Sequence, residues 1–337
     1  MNDLYILGGE MRPDAARKEE WQHFQNAVVV KVDMAARRPA LIHEYFSPPE
    51  VCPDLPSVVF KAGALEGDRL YTCTQTEIII FRLPEFTVEH YVSLPFFNDI
   101  HHVRPSGRGT LLIAVTGLDI IVEIDMDGAL LNEWDVSGGD VWARFSRGED
   151  YRKVPTTKPR VAHPNFVFTV GDEIWATRCD LFDAICLTNK EKRIDLSGPP
   201  GVRGQFVHDG IFCNEMLYFT AVDGKIYIAD PRSCAVTAFI DLNEFVDSDI
   251  PLGWCRGIKV IDADRVVVGF SRLRQTKLRD KVRWAKAQVR RLSGDADYAE
   301  SLPSLPTRIS CFNLKTRTLE WDVPLSEHKM DAVFSVL

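Results

Sequence analysis

Residues 208–242 read HDGIFCNEMLYFTAVDGKIYIADPRSCAVTAFIDL. Four short runs rich in β-branched and aromatic residues are separated by the polar turns CNE, VDG and PRSC. Short apolar runs joined by tight turns are typical of antiparallel strands that follow one another as a meander. The stretch therefore predicts one four-stranded sheet, which is the unit from which a β-propeller blade is made.

The same order of strands recurs along the chain. Other units begin at residues 60, 101, 163 and 256. Residues 331–337, DAVFSVL, predict a lone innermost strand, and LYILGG, NAVVVKVD and PALIHEY near the N-terminus complete a sixth unit with it. This repetition favours an all-β six-bladed propeller, a single domain over residues 1–337 that strands from both ends of the chain close. A pair of β-sandwiches and a seven-bladed ring are the alternatives.

Four longer inserts interrupt the predicted blades, over residues 10–26, 137–159, 243–252 and 272–307. Their places in the meander put all of them on the end where each innermost strand begins. Long loops on one end of a rigid scaffold commonly carry function. The last insert contains TKLRDKVRWAKAQVRRL, residues 276–292, whose apolar spacing predicts a helix with one basic face. We expect this helix to be a lid or a docking surface for a protein partner.

The composition excludes several classes of function. The 337 residues carry a formal net charge of −8, which argues against nucleic acid as a partner because phosphate binding needs a positive field. No apolar stretch is long enough to span a membrane, and the first residues do not resemble an export signal. The eight cysteines are scattered, so free thiols in a cytoplasmic setting are expected. No phosphate-binding loop or dinucleotide fingerprint occurs, and we predict no nucleotide cofactor.

Aligning the units on their second strands brings one polar residue to the entry of each innermost strand. The six positions are Lys61, His101, His163, His208, Arg256 and Asp331. Innermost strands of a propeller line its central channel, so these side chains should meet although they lie far apart in sequence. The alignment predicts a site at the top of the channel, with His101, His163 and His208 as its catalytic residues.

Two chemistries fit three histidines at one level of the channel. The neutral imidazoles of His101, His163 and His208 could bind a divalent zinc, iron, manganese or copper ion and leave one position open. Without a metal, the histidines would join Lys61 and Arg256 in a cationic cup for a small anionic substrate.

Further polar residues lie near the same strand entries. Three of them are predicted to contact the substrate: Asn165, Trp254 and Asp119. Four carboxylates could orient an imidazole by accepting its N–H: Asp99, Asp119, Asp180 and Asp209. His102 should point away from the channel and pack between blades, because successive side chains of a strand alternate in direction.

Residues 98–128 read NDIHHVRPSGRGTLLIAVTGLDIIVEIDMDG, and the words HPN and HDG open the next two blades. These stretches resemble the histidine-bearing blades of bacterial propellers related to arylsulfotransferases. The resemblance covers blades two to four, and it implies that a channel histidine accepts a sulfuryl group as the nucleophile. The matching positions would be His101, His163, His208 and Arg256.

Two kinds of function follow from these features. We expect an enzyme that acts on a small anionic molecule, as a metal-assisted lyase, hydrolase or oxygenase or by sulfuryl-type group transfer. The alternative is a non-catalytic propeller that grips a protein partner through its inserts and the helix over residues 276–292.

Overall fold

A computed structural model describes residues 3–200, 206–248, 250–273 and 304–337. Within these ranges the chain forms six four-stranded sheets, and neighbouring strands in each are antiparallel. The sheets stand in a ring, since the first strands of successive sheets contact one another around a central axis. The predicted six-bladed β-propeller is confirmed.

The first half of the ring is built as follows. The N-terminal strands of the closing blade are β1 (Asp3–Met11), β2 (Phe24–Asp33) and β3 (Arg38–Tyr45). Blade one contains β4 (Ala64–Glu66), β5 (Arg69–Cys73), β6 (Ile78–Arg82) and β7 (Thr87–Val92). Blade two contains β8 (Ile100–Pro105), β9 (Leu111–Val115), β10 (Ile120–Ile124) and β11 (Leu130–Asp135).

The second half follows the same plan. Blade three contains β12 (Pro164–Val170), β13 (Glu173–Arg178), β14 (Asp183–Cys186) and β15 (Arg193–Asp195). Blade four contains β16 (Val207–Cys213), β17 (Met216–Ala221), β18 (Lys225–Asp230) and β19 (Ala235–Asp241). Blade five contains β20 (Trp254–Val260), β21 (Arg265–Ser271), β22 (Arg308–Asn313) and β23 (Thr318–Pro324), and β24 (Ala332–Val336) ends the chain.

The closing blade joins both ends of the chain, as predicted. Its strand order is β24-β1-β2-β3. Tyr5 N donates to Leu337 O at 3.1 Å, and Leu337 N donates to Tyr5 O at 3.0 Å. Pairing β24 with β1 satisfies backbone groups that an open ring would expose at a sheet edge.

Apolar side chains from neighbouring blades form the cores of the ring. Between blades one and two, Ile78 and Ile80 belong to the same buried cluster as Ile113 and Val122. Each sheet is covered on both faces, so its middle strands are apolar on both sides. In β10, which reads IIVEI, only Glu123 is not buried.

The innermost strand of blade one is shorter than the sequence predicts. FKAGA, residues 60–64, is expected as a regular strand, but the ladder begins only at Ala64. Lys61 still donates its backbone N–H to β5 at 2.9 Å. Ala62 forms a parallel bridge with His102 of blade two. Through this bridge the backbone of Ala62 pairs with blade two, while that of Lys61 pairs with its own sheet.

The inserts also differ in detail from their predicted bounds. β1 and β2 extend into the first insert and leave residues 12–23 as its loop. Glu20 of that loop forms an ion pair with Lys158 of the second insert, so these two inserts lie on one face. The helix predicted over residues 276–292 lies outside the described residues.

The described ranges contain one short helix, α1 (Val141–Arg144), where no helix is predicted. Asp140 caps it by accepting Trp142 N at 3.0 Å. The 3-10 turns are Ala15–Arg17, Glu20–Gln22, Pro49–Val51, Thr116–Leu118, Tyr151–Lys153, Leu242–Phe245 and Ser326–His328. No helix in these ranges combines the length and the apolar character that crossing a membrane requires.

Candidate functional site

A cavity lies at the entry of the channel, and all six blades contribute to its wall. The lining residues are Ala62, His101, Asn165, Phe166, His208, Asp209, Arg256 and Phe334. Four residues predicted for the site therefore meet around one space: His101, Asn165, His208 and Arg256. The contribution of the closing blade is aromatic, because Phe334 takes the place expected for Asp331. Asp331 lies before β24, where its Oδ2 accepts Met11 N at 2.8 Å.

Breaks in the ladder of the innermost strands direct side chains toward this cavity. The pairing register skips His101 in β8, Asn165 in β12 and Phe334 in β24. In β16 and β20 the skipped residues include Asp209 and Gly257. A bulge leaves its extra residue outside the ladder and re-aims the side chain. Five of the six innermost strands thus carry a bulge at the level of the cavity.

Asn165 determines where His208 carries its proton. Asn165 Nδ2 donates to Val207 O at 2.6 Å and lies 2.7 Å from His208 Nδ1. The first contact sets the amide orientation, because an amide oxygen in that place would face another carbonyl oxygen. His208 Nδ1 is therefore the acceptor, and the neutral ring carries its proton on Nε2. His208 thus has one N–H group left to donate to a ligand.

Arg256 is a cation at the cavity wall that makes no direct ion pair with any described residue. Its guanidinium lies 4.8 Å from the ring centroid of Phe334 and 5.2 Å from that of Trp254. Its Nε is enclosed, and the side chain forms no ion pair or hydrogen bond with any residue in the described part of the chain. Desolvation lowers the pKa of Arg256 from its ordinary value. The half-exposed Trp254 thus shapes the site by stacking on Arg256.

A charged cluster around Asp99 adjoins the cavity. Asp99 Oδ1 lies 3.2 Å from His101 Nε2 and 3.5 Å from Lys61 Nζ, while Oδ2 forms an ion pair with Arg160. Burial alone would raise the pKa of Asp99, but Arg160, His101 and Lys61 hold it well below its usual range. Asp99 is therefore ionised, and it orients the imidazole of His101.

Asp119 positions His163 from beneath the loop that carries it. Its carboxylate accepts the backbone N–H of Val161, Ala162 and His163 at 2.8, 3.0 and 2.7 Å, and pairs with Arg144 at 3.0 Å. These bonds hold His163 at a φ of 52°, which non-glycine residues seldom adopt. The predicted contact of Asp119 with substrate does not fit this geometry, because its side chain is fully enclosed.

His163 lies beside the cavity and not in its wall. Its ring centroid is 5.0 Å from that of His101, and its Nδ1 is 3.5 Å from Asp180 Oδ1. His163, Cys179 and Asp180 form the one group of potential metal ligands in the described ranges whose ligand atoms all lie within 4.8 Å of one another. His101 and His208 do not belong to that group. A metal held by all three histidines stays a prediction.

The three histidines are uncharged at neutral pH. Burial lowers the pKa of His101 and of His208 well below the usual value, and nearby Arg256 lowers that of His208 further. Burial also lowers the pKa of His163. A neutral imidazole can accept a proton, attack an electrophile or bind a metal.

His102 packs between blades, as the alternation of the strand predicts. Its ring stacks on Phe166 with 3.7 Å between the centroids. Its Nδ1 accepts Val167 N at 3.1 Å, and its Nε2 lies 3.3 Å from Gly63 O. Both nitrogens are paired, so His102 is a structural histidine.

Three residues of the site region were not predicted from the blade alignment. Arg160 directly follows the second insert and stands three residues before His163, and the basic residues of that insert are the only signal for it. Cys179 follows the end of β13, and Phe334 lies in an apolar strand. Nothing in the pattern distinguishes either of them from a core residue.

Comparisons with known proteins support the fold but identify no activity or ligand. No family model and no curated sequence matches the chain. The chain is similar in structure to a protein of unknown function from Bacteroides caccae, with a TM-score of 0.59 and 10% sequence identity. The similarity covers 100% of this chain and 98% of that chain. At this identity the likeness supports the propeller fold alone, and the resemblance to arylsulfotransferase-like propellers stays a prediction.

Proposed function

We propose that the cavity is the site of an enzyme that acts on a small molecule with an anionic group. Arg256 and the Nε2–H of His208 bind the anion, and the reacting centre lies beside His101. The observation that carries this proposal is Arg256, a cation at the cavity wall whose side chain forms no ion pair or hydrogen bond with the residues that the structure describes.

The energetics of an unpaired cation favour an anionic ligand. Enclosing a charge without a partner costs free energy, and removing that cost on binding strengthens the complex. Guanidinium offers a planar pair of donors to sulfate, phosphate or carboxylate oxygens. Lys61 lies close by, but Asp99 and His101 already contact its Nζ. Arg256 is therefore the main anion-binding group.

The proposed chemistry rests on the pairing of His101 with Asp99. A carboxylate beside one imidazole nitrogen fixes the ring and stabilises the imidazolium that forms during proton transfer or nucleophilic attack. In the scheme suggested by the family resemblance, an imidazole nitrogen of His101 attacks the sulfur of a sulfate ester and forms an N–S bond. The S–O bond to the leaving group breaks, and the leaving oxygen takes up a proton from water. A metal ion held by His101, His163 and His208 is the other chemistry consistent with the sequence.

Calorimetric titration of the full-length protein with sulfate, phosphate and acetate tests the binding. We expect Arg256→Gln to weaken anion binding by about tenfold or more, because a charged partner is lost. The control is Arg37→Gln, since Arg37 also lies over a tryptophan, 5.8 Å from the Trp321 ring, but is exposed. Without an anion, Arg256→Gln should melt only slightly lower than the parent, because the cation has no ion pair to lose and its ring contacts contribute about 0.5–2 kcal/mol. Unchanged anion affinity in this variant would contradict the proposal.

A His101→Asn variant tests the catalytic half of the proposal. The variant should keep sulfate affinity, because Arg256 and His208 remain, and should lose turnover of an aryl sulfate ester. Turnover equal to that of the parent would show that His101 is not a catalytic residue. A parent protein that binds the anions but turns over no sulfate, phosphate or carboxylate ester would favour the non-catalytic alternative.

A further inference from the structure

We propose that His163, Cys179 and Asp180 bind one zinc ion beside the cavity. This site is distinct from the three-histidine metal site that the sequence suggests, and it shares only His163 with it. It is also independent of anion binding by Arg256.

The spacing of the three ligands suits a metal better than a hydrogen bond. His163 Nδ1 and Asp180 Oδ1 are 3.5 Å apart, which is longer than a good N–H···O contact. Two nitrogen or oxygen ligands of a tetrahedral zinc ion, bonded at about 2.0–2.1 Å, lie about 3.3 Å from each other. One ligand atom from each of the three residues lies within 4.8 Å of the other two, so side-chain rotation toward a shared centre would complete the set.

Backbone hydrogen bonds hold the two segments that carry the ligands. Cys179 N donates to His163 O at 3.0 Å, and Asp180 N donates to Ala162 O at 3.2 Å. Asp119 fixes the other side of the His163 loop through three backbone N–H groups. The arrangement keeps His163 in a sparsely populated backbone conformation, and such strain is concentrated at functional sites.

The imidazole of His163 lacks the hydrogen bonds of a structural histidine. Its Nε2 is enclosed and has no partner among the described residues, and its Nδ1 makes only the long contact with Asp180. His102, by contrast, has both nitrogens paired. A metal bound at Nδ1 would account for the missing hydrogen bond at that nitrogen, and Nε2 would then carry the ring proton.

The donor set favours zinc over magnesium and calcium. One imidazole nitrogen, one cysteine sulfur that loses its proton on binding and one carboxylate oxygen suit zinc, which accepts all three. They do not suit magnesium or calcium, which prefer oxygen. Three protein ligands leave one position open, as in catalytic zinc sites. The His101 ring lies 5.0 Å from that of His163, so a molecule on the open position would be next to the cavity wall.

Cobalt, which substitutes for zinc and reveals its ligands by absorption, tests the site. Co²⁺ is titrated into the full-length, metal-depleted protein, and Zn²⁺ is then used to displace it. We expect one equivalent to bind with a thiolate-to-cobalt absorption band in the near ultraviolet. Cys179→Ser should abolish that band, and Cys179→Ser and Asp180→Asn should each weaken binding by about tenfold or more.

Three control variants separate this site from its alternatives. Cys311→Ser should change nothing, since Cys311 is as buried as Cys179, at 2% exposure, and has a carboxylate nearby but lies outside the group of potential metal ligands. His208→Gln should keep the cobalt band, whereas a three-histidine site would lose the ion. Arg256→Gln should also keep the cobalt band. Loss of anion binding can therefore be distinguished from loss of the metal site.

Three outcomes would overturn the inference: no stoichiometric cobalt binding, binding without a thiolate band, or binding that survives Cys179→Ser in full. Circular dichroism and melting of each variant establish that it is folded. If Cys179→Ser does not fold, Asp180→Asn decides the question through the cobalt affinity.

Discussion

Asp209 combines a place in the cavity wall with strong structural bonds. Its Oδ2 accepts Thr220 Oγ1 at 2.5 Å and Gly257 N at 3.0 Å. Burial outweighs these bonds and raises the pKa of Asp209 from 3.8 to about 6. The folded protein therefore binds a proton at this carboxyl group over a pH range in which the unfolded chain has already lost it.

Asp209→Asn should change how stability depends on pH. Between about pH 4 and pH 6 the folded parent holds the extra proton, so its free energy of unfolding falls as the pH rises through this window. The loss is on the order of 3 kcal/mol and persists above the window. The asparagine variant lacks this term, so it should gain stability relative to the parent as the pH rises.

Urea unfolding of both proteins from pH 4 to pH 8 measures the difference. Asp172→Asn serves as the control because Asp172 is fully exposed. Parallel curves for the parent and Asp209→Asn would show that burial does not perturb this carboxyl group.

Single residues of the site were predictable where the blades repeat and not elsewhere. His101, His208 and Arg256 share a place at the entry of an innermost strand, so aligning blades finds them. Arg160 follows the second insert, and Cys179 follows the second strand of blade three. The repeat offers no counterpart at either place. The proton position on His208 depends on the orientation of an amide, which no sequence pattern records.

Strands were predictable as elements because each is a short apolar run between turns, but the breaks in their ladders were not. A bulge changes one pairing and leaves the apolar pattern intact. The bulge at Gly257 is the exception, because its backbone conformation and close contact require a glycine. Its φ is 76°, and a Cβ at this position would lie 2.9 Å from the backbone of Ser335 in β24. Glycine thus allows β20 and β24 to approach closely at this level of the channel.

Gly257→Ala should destabilise the fold and the site together. The left-handed conformation costs an alanine roughly 1–2 kcal/mol, and the contact with Ser335 adds to it, so we expect a loss of about 2–4 kcal/mol. The hydrogen bond from Gly257 N to Asp209 should weaken as β20 shifts, and sulfate affinity should fall. Chemical unfolding and calorimetry measure the two effects.

Gly67→Ala is the matched control for Gly257→Ala. Gly67 has a φ of 62°, but a Cβ at this position would meet no atom within 4 Å, so the variant isolates the conformational cost. Equal losses of stability in the two variants would show that the approach of β24 does not matter.

At the scale of the whole molecule, closure of the ring and formation of the site are one event. The wall of the cavity takes residues from all six blades, including Phe334 from β24. The repeat and the strands at both chain ends made the closed ring predictable. Although the chain carries a net charge of −8, the cavity wall presents an unpaired arginine, so the local field differs from the overall charge.

Deleting residues 331–337 should therefore abolish both cooperative unfolding and anion binding. The deletion exposes the edge of β1 and the core around Val333, which is fully buried, so the protein should self-associate. A synthetic DAVFSVL peptide should restore a monomer with a single unfolding transition, whereas a scrambled peptide should not. Phe334→Ala keeps β24 and should remain a closed monomer. This variant separates the effect of losing a cavity-wall side chain from the effect of opening the ring. If the truncated chain unfolds with the parent's midpoint in urea, β24 is not what holds the ring together.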